Sequence, residues 1–198
     1  MTAADPITRL RAAANGGAPS SDFDLNPEFR PANRTLRPAA VLVAFQQAAE
    51  GPRLVLTKRA SGLKHHPGQI AFPGGKLDPG DADAVDAALR EAEEEVALPR
   101  HIVEVLGTMP AHETITGFNV TPVLGWIRDT FEPIPETGEV DEVFTVPFAH
   151  IADPANFMVE SRFFRGTRRR FYVVPYGPYY IWGATARMLR ALAEDLSR

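Results

Sequence analysis

The chain has 198 residues, of which 44% are hydrophobic and 23% charged, enough apolar material to bury one core and too much for general disorder. Its net charge of −4 argues against broad, unspecific nucleic-acid binding while leaving room for a local basic pocket. It has no Cys, which excludes a disulfide scaffold, a thiolate zinc site and a cysteine nucleophile; no apolar run reaches the roughly 18 residues of a membrane span, and without an apolar signal core near the start a cytoplasmic address is expected.

Residues 1–37 are rich in Ala, Pro, Asn and Asp and read as an N-terminal arm, with the domain proper over 38–198. Within the arm, Thr8 to Ala14 forms a short helix that Asn15-Gly16-Gly17 stops. Ala39 to Gln46 and Arg53 to Lys58 read as strands, joined by a polar hairpin connection from Gln47 to Pro52. Gln69 to Phe72 is a short strand running into a turn at Pro73-Gly74-Gly75. From Asp83 to Val96 the apolar residues Val85, Ala88, Leu89, Ala92 and Val96 are spaced by alternating steps of three and four, the helical period, and Pro99 limits any continuation. Strands follow at Ile102 to Met109 and Val120 to Ile127, then a loop from Phe131 to Gly138 and a strand from Glu139 to Val146. A turn or helix is expected around residues 147–151. Phe163-Phe164 and Phe171 to Val174 pair as a hairpin with Phe toward the core and Arg162, Arg165, Arg168, Arg169 and Arg170 toward water. An amphipathic helix runs from Ile181 or Gly183 to Leu196. Strands interrupted by two good helices imply an α/β sandwich, with mixed sheet between helices.

The segment Leu89-Arg90-Glu91-Ala92-Glu93-Glu94-Glu95-Val96 carries the chemistry. On a helix Glu91 neighbours Glu94 and Glu95, at i+3 and i+4, so three carboxylates share a face and repel each other. A divalent cation removes that repulsion and takes their oxygens as hard ligands, which suits Mg²⁺ or Mn²⁺. Arg90, four residues before Glu94, can hold one carboxylate, while Glu93 points toward solvent. Gly74 and Gly75 let backbone groups approach a metal or phosphate with no side chain in the way. A solvated acidic surface helix is the competing reading.

Gly75 followed by Arg90-Glu91-Ala92-Glu93-Glu94-Glu95 resembles the Nudix box, G-x5-E-x7-R-E-U-x-E-E-x-G-U. The pattern departs at Ala82, where its earlier Glu belongs, leaving Asp78, Asp81 and Asp83 as nearby acids, and at Ala97, where it has Gly. Ala pays a steric penalty in a left-handed cap, so the helix is expected to end differently or to run on toward Pro99. Val55-Leu56-Thr57-Lys58-Arg59-Ala60 with Lys64, Gly68 and Phe72-Pro73-Gly74-Gly75 is similar to the signature of the coenzyme A pyrophosphatase branch. The resemblance spans roughly residues 38 to 195 and implies a Nudix-type α/β/α sandwich with mixed β-sheet. It implies cleavage of the diphosphate of coenzyme A or its thioesters, with Mg²⁺ or Mn²⁺ as cofactor and a small molecule, not a nucleic acid or membrane, as partner; a homodimer is compatible with it. By the same resemblance Glu91, Glu94 and Glu95 with the Gly75 carbonyl hold metal. Arg90, Glu91 and Glu94 serve catalysis, and Arg59, Lys64, Gly74 and Gly75 contact substrate. Glu142 is a further candidate from a later strand. His65 and His66 lack a third partner at zinc spacing. Tyr176, Tyr179 and Tyr180 are candidates to stack on adenine, whereas Trp182, entering the last helix, reads as core. The rivals are a Nudix hydrolase of ADP-ribose, NADH or a nucleotide sugar, and a catalytically inactive Nudix-fold binding protein.

Overall fold

A computed structural model describes residues 5–14, 16–164 and 166–197; Asn15 and Arg165, named above, lie outside the described residues. In chain order the elements are α1 (Pro6–Ala14), β1 (Ser20–Ser21), β2 (Arg37–Ala48), β3 (Gly51–Arg59), β4 (Ile70–Ala71), β5 (Gly74–Lys76) and α2 (Ala84–Val96). They continue with β6 (Val103–Thr108), β7 (His112–Glu113), β8 (Phe118–Ile127), β9 (Val140–Pro147), α3 (Phe148–Ile151), β10 (Met158–Phe164), β11 (Thr167–Val173) and α4 (Gly183–Leu196).

Among the described residues nine strands make one mixed sheet, ordered β1-β7-β8-β2-β3-β4, with β5 also on β2, β6 on β8 and β9 on β3. The β2–β8 and β1–β7 pairs are parallel and the others antiparallel. β2 reads as an unbroken apolar run because both its faces are covered. Ala39, Val43 and Phe45 face one core with Leu10 of α1 and Leu189 and Leu192 of α4. Ala40, Leu42 and Ala44 face the other, against Ala87, Ala88, Ala92 and Val96 of α2. The small α2 residues let that helix lie close to the sheet, which brings its carboxylates near β5. The α/β/α sandwich expected from the sequence is the one observed. Among the described residues no helix is long and apolar enough to cross a membrane.

Three local expectations are corrected. Ala48 pairs with Gly51 across β2 and β3, so the connection is a tight turn at residues 49–50, shorter than Gln47 to Pro52. Gly74 and Gly75 are not a turn: they pair with Val41 and Ala40 as strand β5. The hairpin β10–β11 forms in register, but Phe163 and Phe164 are 78% and 55% exposed, because it builds a separate two-stranded sheet whose β10 stands clear of the core.

α1 and the segment of β1 are fastened to this body. Leu10 is fully buried, and the Arg9 guanidinium donates to the Leu196 carbonyl at 3.1 Å. The buried His112 ring lies between Ser20 Oγ, 2.9 Å from Nδ1, and Asp22 Oδ1, 3.1 Å from Nε2.

Candidate active site

α2 starts where the sequence prescribes. The Asp83 carboxylate accepts from the Val85 and Asp86 N–H groups at 2.8 and 2.9 Å, a side-chain cap that consumes orphan donors of the first turn. Its end overturns the expectation for Ala97. That residue takes the left-handed conformation (φ 56°, ψ 33°), and its N–H bonds to the Glu93 carbonyl at 3.1 Å. Leu98, next in line, is buried, and it precedes Pro99, which disfavours helical backbone at Leu98. Burying Leu98 outweighs a steric cost of about 1 kcal/mol at Ala97.

Arg90 is the organising cation. Its Nε and Nη2 donate to Asp81 Oδ1 and Oδ2 at 2.8 and 2.9 Å, and Nη2 also donates to the Lys76 carbonyl at 3.2 Å. Nη1 donates to Glu91 Oε1 and to Glu94 Oε2, both at 3.1 Å. Of the three acids near the vacant Glu position, Asp81 thus takes the bidentate contact, Asp83 caps the helix and Asp78 lies 3.8 Å from Arg90. The Arg90 hydrogen bonds, aided by the Asp78 N–H, hold the Asp81 carboxyl down at about 2. Arg90 itself is pushed further above its ordinary value, chiefly by Asp81.

Glu95 is 5% exposed, and its Oε2 accepts from the Gly74 N–H at 3.1 Å. Burial raises its carboxyl to about 7 against the opposing pull of that N–H, and the Glu91 charge adds to the rise. Glu91 is raised by burial too, with Arg90 opposing and Glu94 and Glu139 reinforcing. The two glycines have different work. A Cβ on Gly75 would sit 2.4 Å from Glu91 Oε1, so its absence makes room for that carboxylate. A Cβ on Gly74 would meet the Ala40 carbonyl at 2.5 Å and Val41 Cα at 2.6 Å, so its absence permits the β5–β2 pairing.

Glu94 is turned to Arg90 and its side chain is 58% exposed. Glu93 is exposed as expected, with Arg100 Nε at 3.5 Å. Arg59 ends β3 and its charge acts on Glu95, whereas Lys64, His65 and His66 lie exposed on the loop between β3 and β4. Glu142 accepts from the Tyr179 hydroxyl, and that ring stacks on Phe144 at 3.6 Å. Sequence reasoning missed Glu139. The loop before β9 lies across the end of α2, where the Ile134 and Glu136 N–H groups bond the orphan carbonyls of Val96 and Glu95. This brings the Glu139 charge to bear on Glu91 and Glu95. A signal existed in the sequence only as a Glu at the start of a strand.

The aromatics and arginines beyond the site are engaged elsewhere. Tyr180 donates to Glu160 at 2.6 Å, and half-buried Trp182 meets the Phe171 ring edge-on at 5.3 Å. Arg169 lies over Phe29, and Arg170 donates to the Leu25 carbonyl at 2.7 Å.

Among the described residues no three His, Asp or Glu side chains converge into a closed metal cage. The donor set nevertheless fits a hard divalent ion. Half-buried Glu91, raised by burial and by Glu94 and Glu139, and buried Glu95, raised by burial and by Glu91, lie beside a glycine that leaves space and gain from neutralisation by a cation with oxygen ligands. With its helix, its arginine and its glycine strand, the arrangement is suited to a divalent cation and, through it, to an anionic group.

Comparison with known proteins places the chain in a family. The family profile described as NUDIX domain matches residues 35–165. The chain is 41% identical over 172 residues to proteins of Cronobacter sakazakii and Salmonella newport, each described as "Uncharacterized Nudix hydrolase NudL". The match covers 87% of this chain and 89% of each relative. Among solved structures, a MutT/nudix family protein from Enterococcus faecalis is similar at TM-score 0.48 and 14% identity, over 85% of this chain and 65% of that one. The NUDIX domain of Shewanella oneidensis NrtR, complexed with ADP ribose, is similar at TM-score 0.47 and 19% identity, over 63% of this chain and 82% of that one. The chain belongs to the NUDIX domain family, as a Nudix hydrolase.

Proposed function

We infer that the protein is a divalent-metal-dependent pyrophosphohydrolase of coenzyme A or its thioesters, releasing 3′,5′-ADP and 4′-phosphopantetheine or its acyl derivative. The observation that carries the chemistry is half-buried Glu91 with buried Glu95 against the glycine strand, and Arg90 beside Glu91. The substrate is supported by the sequence from Val55 to Gly75, which ends β3 on Arg59 and leads through the Lys64 loop to that strand. In this reading the domain over 38–198 carries the activity, and residues 1–37 are its N-terminal arm.

Mg²⁺ or Mn²⁺ would be held by Glu91, Glu94 and Glu95 with the Gly75 carbonyl. When bound it supplies positive charge for the diphosphate oxygens and makes the attacking water more acidic. Arg90 orients Glu91 and Glu94, and Asp81 fixes Arg90. Glu91, with a carboxyl raised by burial, is suited to accept a proton from the attacking water. Arg59 and Lys64 add the cations that a diphosphate flanked by a 3′-phosphate requires.

The test is a steady-state panel at fixed Mg²⁺ and ionic strength, with product identification, over coenzyme A, acetyl-coenzyme A, dephospho-coenzyme A, ADP-ribose and NADH. The highest kcat/KM is expected for coenzyme A and its thioesters. Loss of the 3′-phosphate is expected to cost about ten- to a hundredfold. Arg59→Ala lowers turnover of every substrate if it holds the diphosphate, and selectively that of coenzyme A if it holds the 3′-phosphate. ADP-ribose as best substrate with coenzyme A inert would overturn the substrate and leave the hydrolase standing. No turnover anywhere would favour the binding-protein reading.

A further inference from the structure

The hairpin β10–β11 is the part of the fold that the hydrolase chemistry leaves unexplained. Four of the six exposed large apolar side chains among the described residues sit on β10: Met158, Val159, Phe163 and Phe164. Such a strand is a liability unless something covers it.

Its two edges differ. Ser161 stands opposite Arg170 in the hairpin register. The Asn26 side chain donates to the Arg170 carbonyl at 2.8 Å and accepts from the Arg170 N–H at 2.9 Å. Both backbone groups of Arg170 therefore face away from β10. Further along, β11 continues into the Val173–Trp182 bridge, where the Val174 N–H bonds the Ile181 carbonyl. The outer edge of β11 is thus occupied. In an antiparallel ladder, opposed residues whose groups face away from one another alternate with pairs that exchange hydrogen bonds. Ser161, and with it Val159 and Phe163, therefore presents N–H and C=O on the outer edge of β10. No hydrogen bond to that edge occurs among the described residues.

The strand reads Met158-Val159-Glu160-Ser161-Arg162-Phe163-Phe164, and it is complementary to itself about Ser161. Laid antiparallel on a second copy with Ser161 opposite Ser161, Val159 meets Phe163 and Met158 meets Phe164. Glu160 meets Arg162 on both sides of the axis. The outward pairs at 159, 161 and 163 are the ones that would exchange backbone hydrogen bonds. The Glu160–Arg162 pairs then occupy positions where opposed side chains lie close. A one-residue slip destroys the charge match and the apolar match together.

We propose that β10 is the interface of a two-fold symmetric homodimer, in which two hairpins join edge to edge into one four-stranded sheet centred on Ser161. The occupant is a second copy because one surface supplies both halves of each complementary pair, as a two-fold interface demands.

The test is sedimentation equilibrium of the full chain and of two charge variants, Arg162→Glu and Glu160→Arg, with thermal melts to confirm that each is folded. Wild type is expected to dimerise. Each variant alone opposes like charges at every such pair and is expected to dissociate about 10- to 100-fold more readily. Mixed in equal amounts, the two variants restore opposite charges at both positions and are expected to form a heterodimer, a rescue that repair of a damaged fold cannot mimic. A wild type that stays monomeric at about 100 µM, single variants as dimeric as wild type, or a mixture that stays dissociated would each overturn the interface.

Discussion

Arg90 and Asp81 meet through two parallel hydrogen bonds, Nε to Oδ1 and Nη2 to Oδ2, across the start of the carboxylate helix. Asp81→Asn breaks the fork and lets Arg90 relax from Glu91 and Glu94. Turnover is expected to fall about 10- to 100-fold, the usual cost of losing a group that orients ligands. Because the folded carboxyl is held down at about 2, its contribution to stability is complete above its unfolded value near 4 and is lost as pH falls from there toward 2. Wild type is therefore expected to melt above Asp81→Asn at pH 7, with the gap closing in strong acid. An equal gap at both would refute the assignment.

Glu95 runs the opposite way. Its folded value of about 7 exceeds the unfolded value near 4.3, so the folded state binds the proton more tightly. In chelator the chain is expected to lose stability as pH rises from about 4 through 7, by on the order of 3 kcal/mol at the upper limit. Glu95→Gln is expected to melt higher than wild type at pH 8 and not at pH 4. Mg²⁺ then stabilises wild type at pH 8 and not the variant.

The two glycines of β5 separate fold from chemistry. Gly74→Ala drives a methyl group into β2 backbone and is expected to cost about 1–3 kcal/mol of stability. Gly75→Ala meets only the movable end of Glu91, so the melt is expected to hold while turnover drops about tenfold or more. Reversal of that order in paired melts and assays would show the roles misassigned.

Ala97→Gly relieves the left-handed strain at the end of α2. Stability is expected to rise by about 1 kcal/mol, a melting shift of about 2–4 °C, with turnover unchanged.

Glu139 and Glu142 compete as the carboxylate contributed by the β9 region. Glu139 acts electrostatically on Glu91 and Glu95, while Glu142 is held by Tyr179. Glu139→Gln is expected to lower turnover more than Glu142→Gln under saturating substrate, and equal losses would remove the distinction.

What the sequence could reveal followed the range of the interaction. The period of Val85 to Val96 and the cap at Asp83 are local, and α2 appears where they require it. The unbroken apolar run of β2, covered on both faces, was legible as a strand. Gly74-Gly75 read as a turn because glycine carries no record of its partner; only the pairing with Ala40 and Val41, more than thirty residues away, makes it a strand. Phe163 and Phe164 read as core because hydrophobicity does not say which surface will cover a side chain. Asp81 could be narrowed to one of three acids but not chosen, since the choice depends on the reach of the Arg90 fork. Glu139 depends on a loop folding over the end of a helix, which no spacing rule encodes.

The burial of Leu10 beneath α4, with Arg9 bound to the Leu196 carbonyl, has a consequence for biosynthesis. These partners lie 187 positions apart, so α1 completes its seat only after α4 has been synthesised. Until then α1 can rest only on β6 and β8, without the cover that α4 supplies. A nascent chain arrested before residue 183 is thus expected to leave α1 more open to protease than β2 and β3, with α1 locked down only once α4 is present.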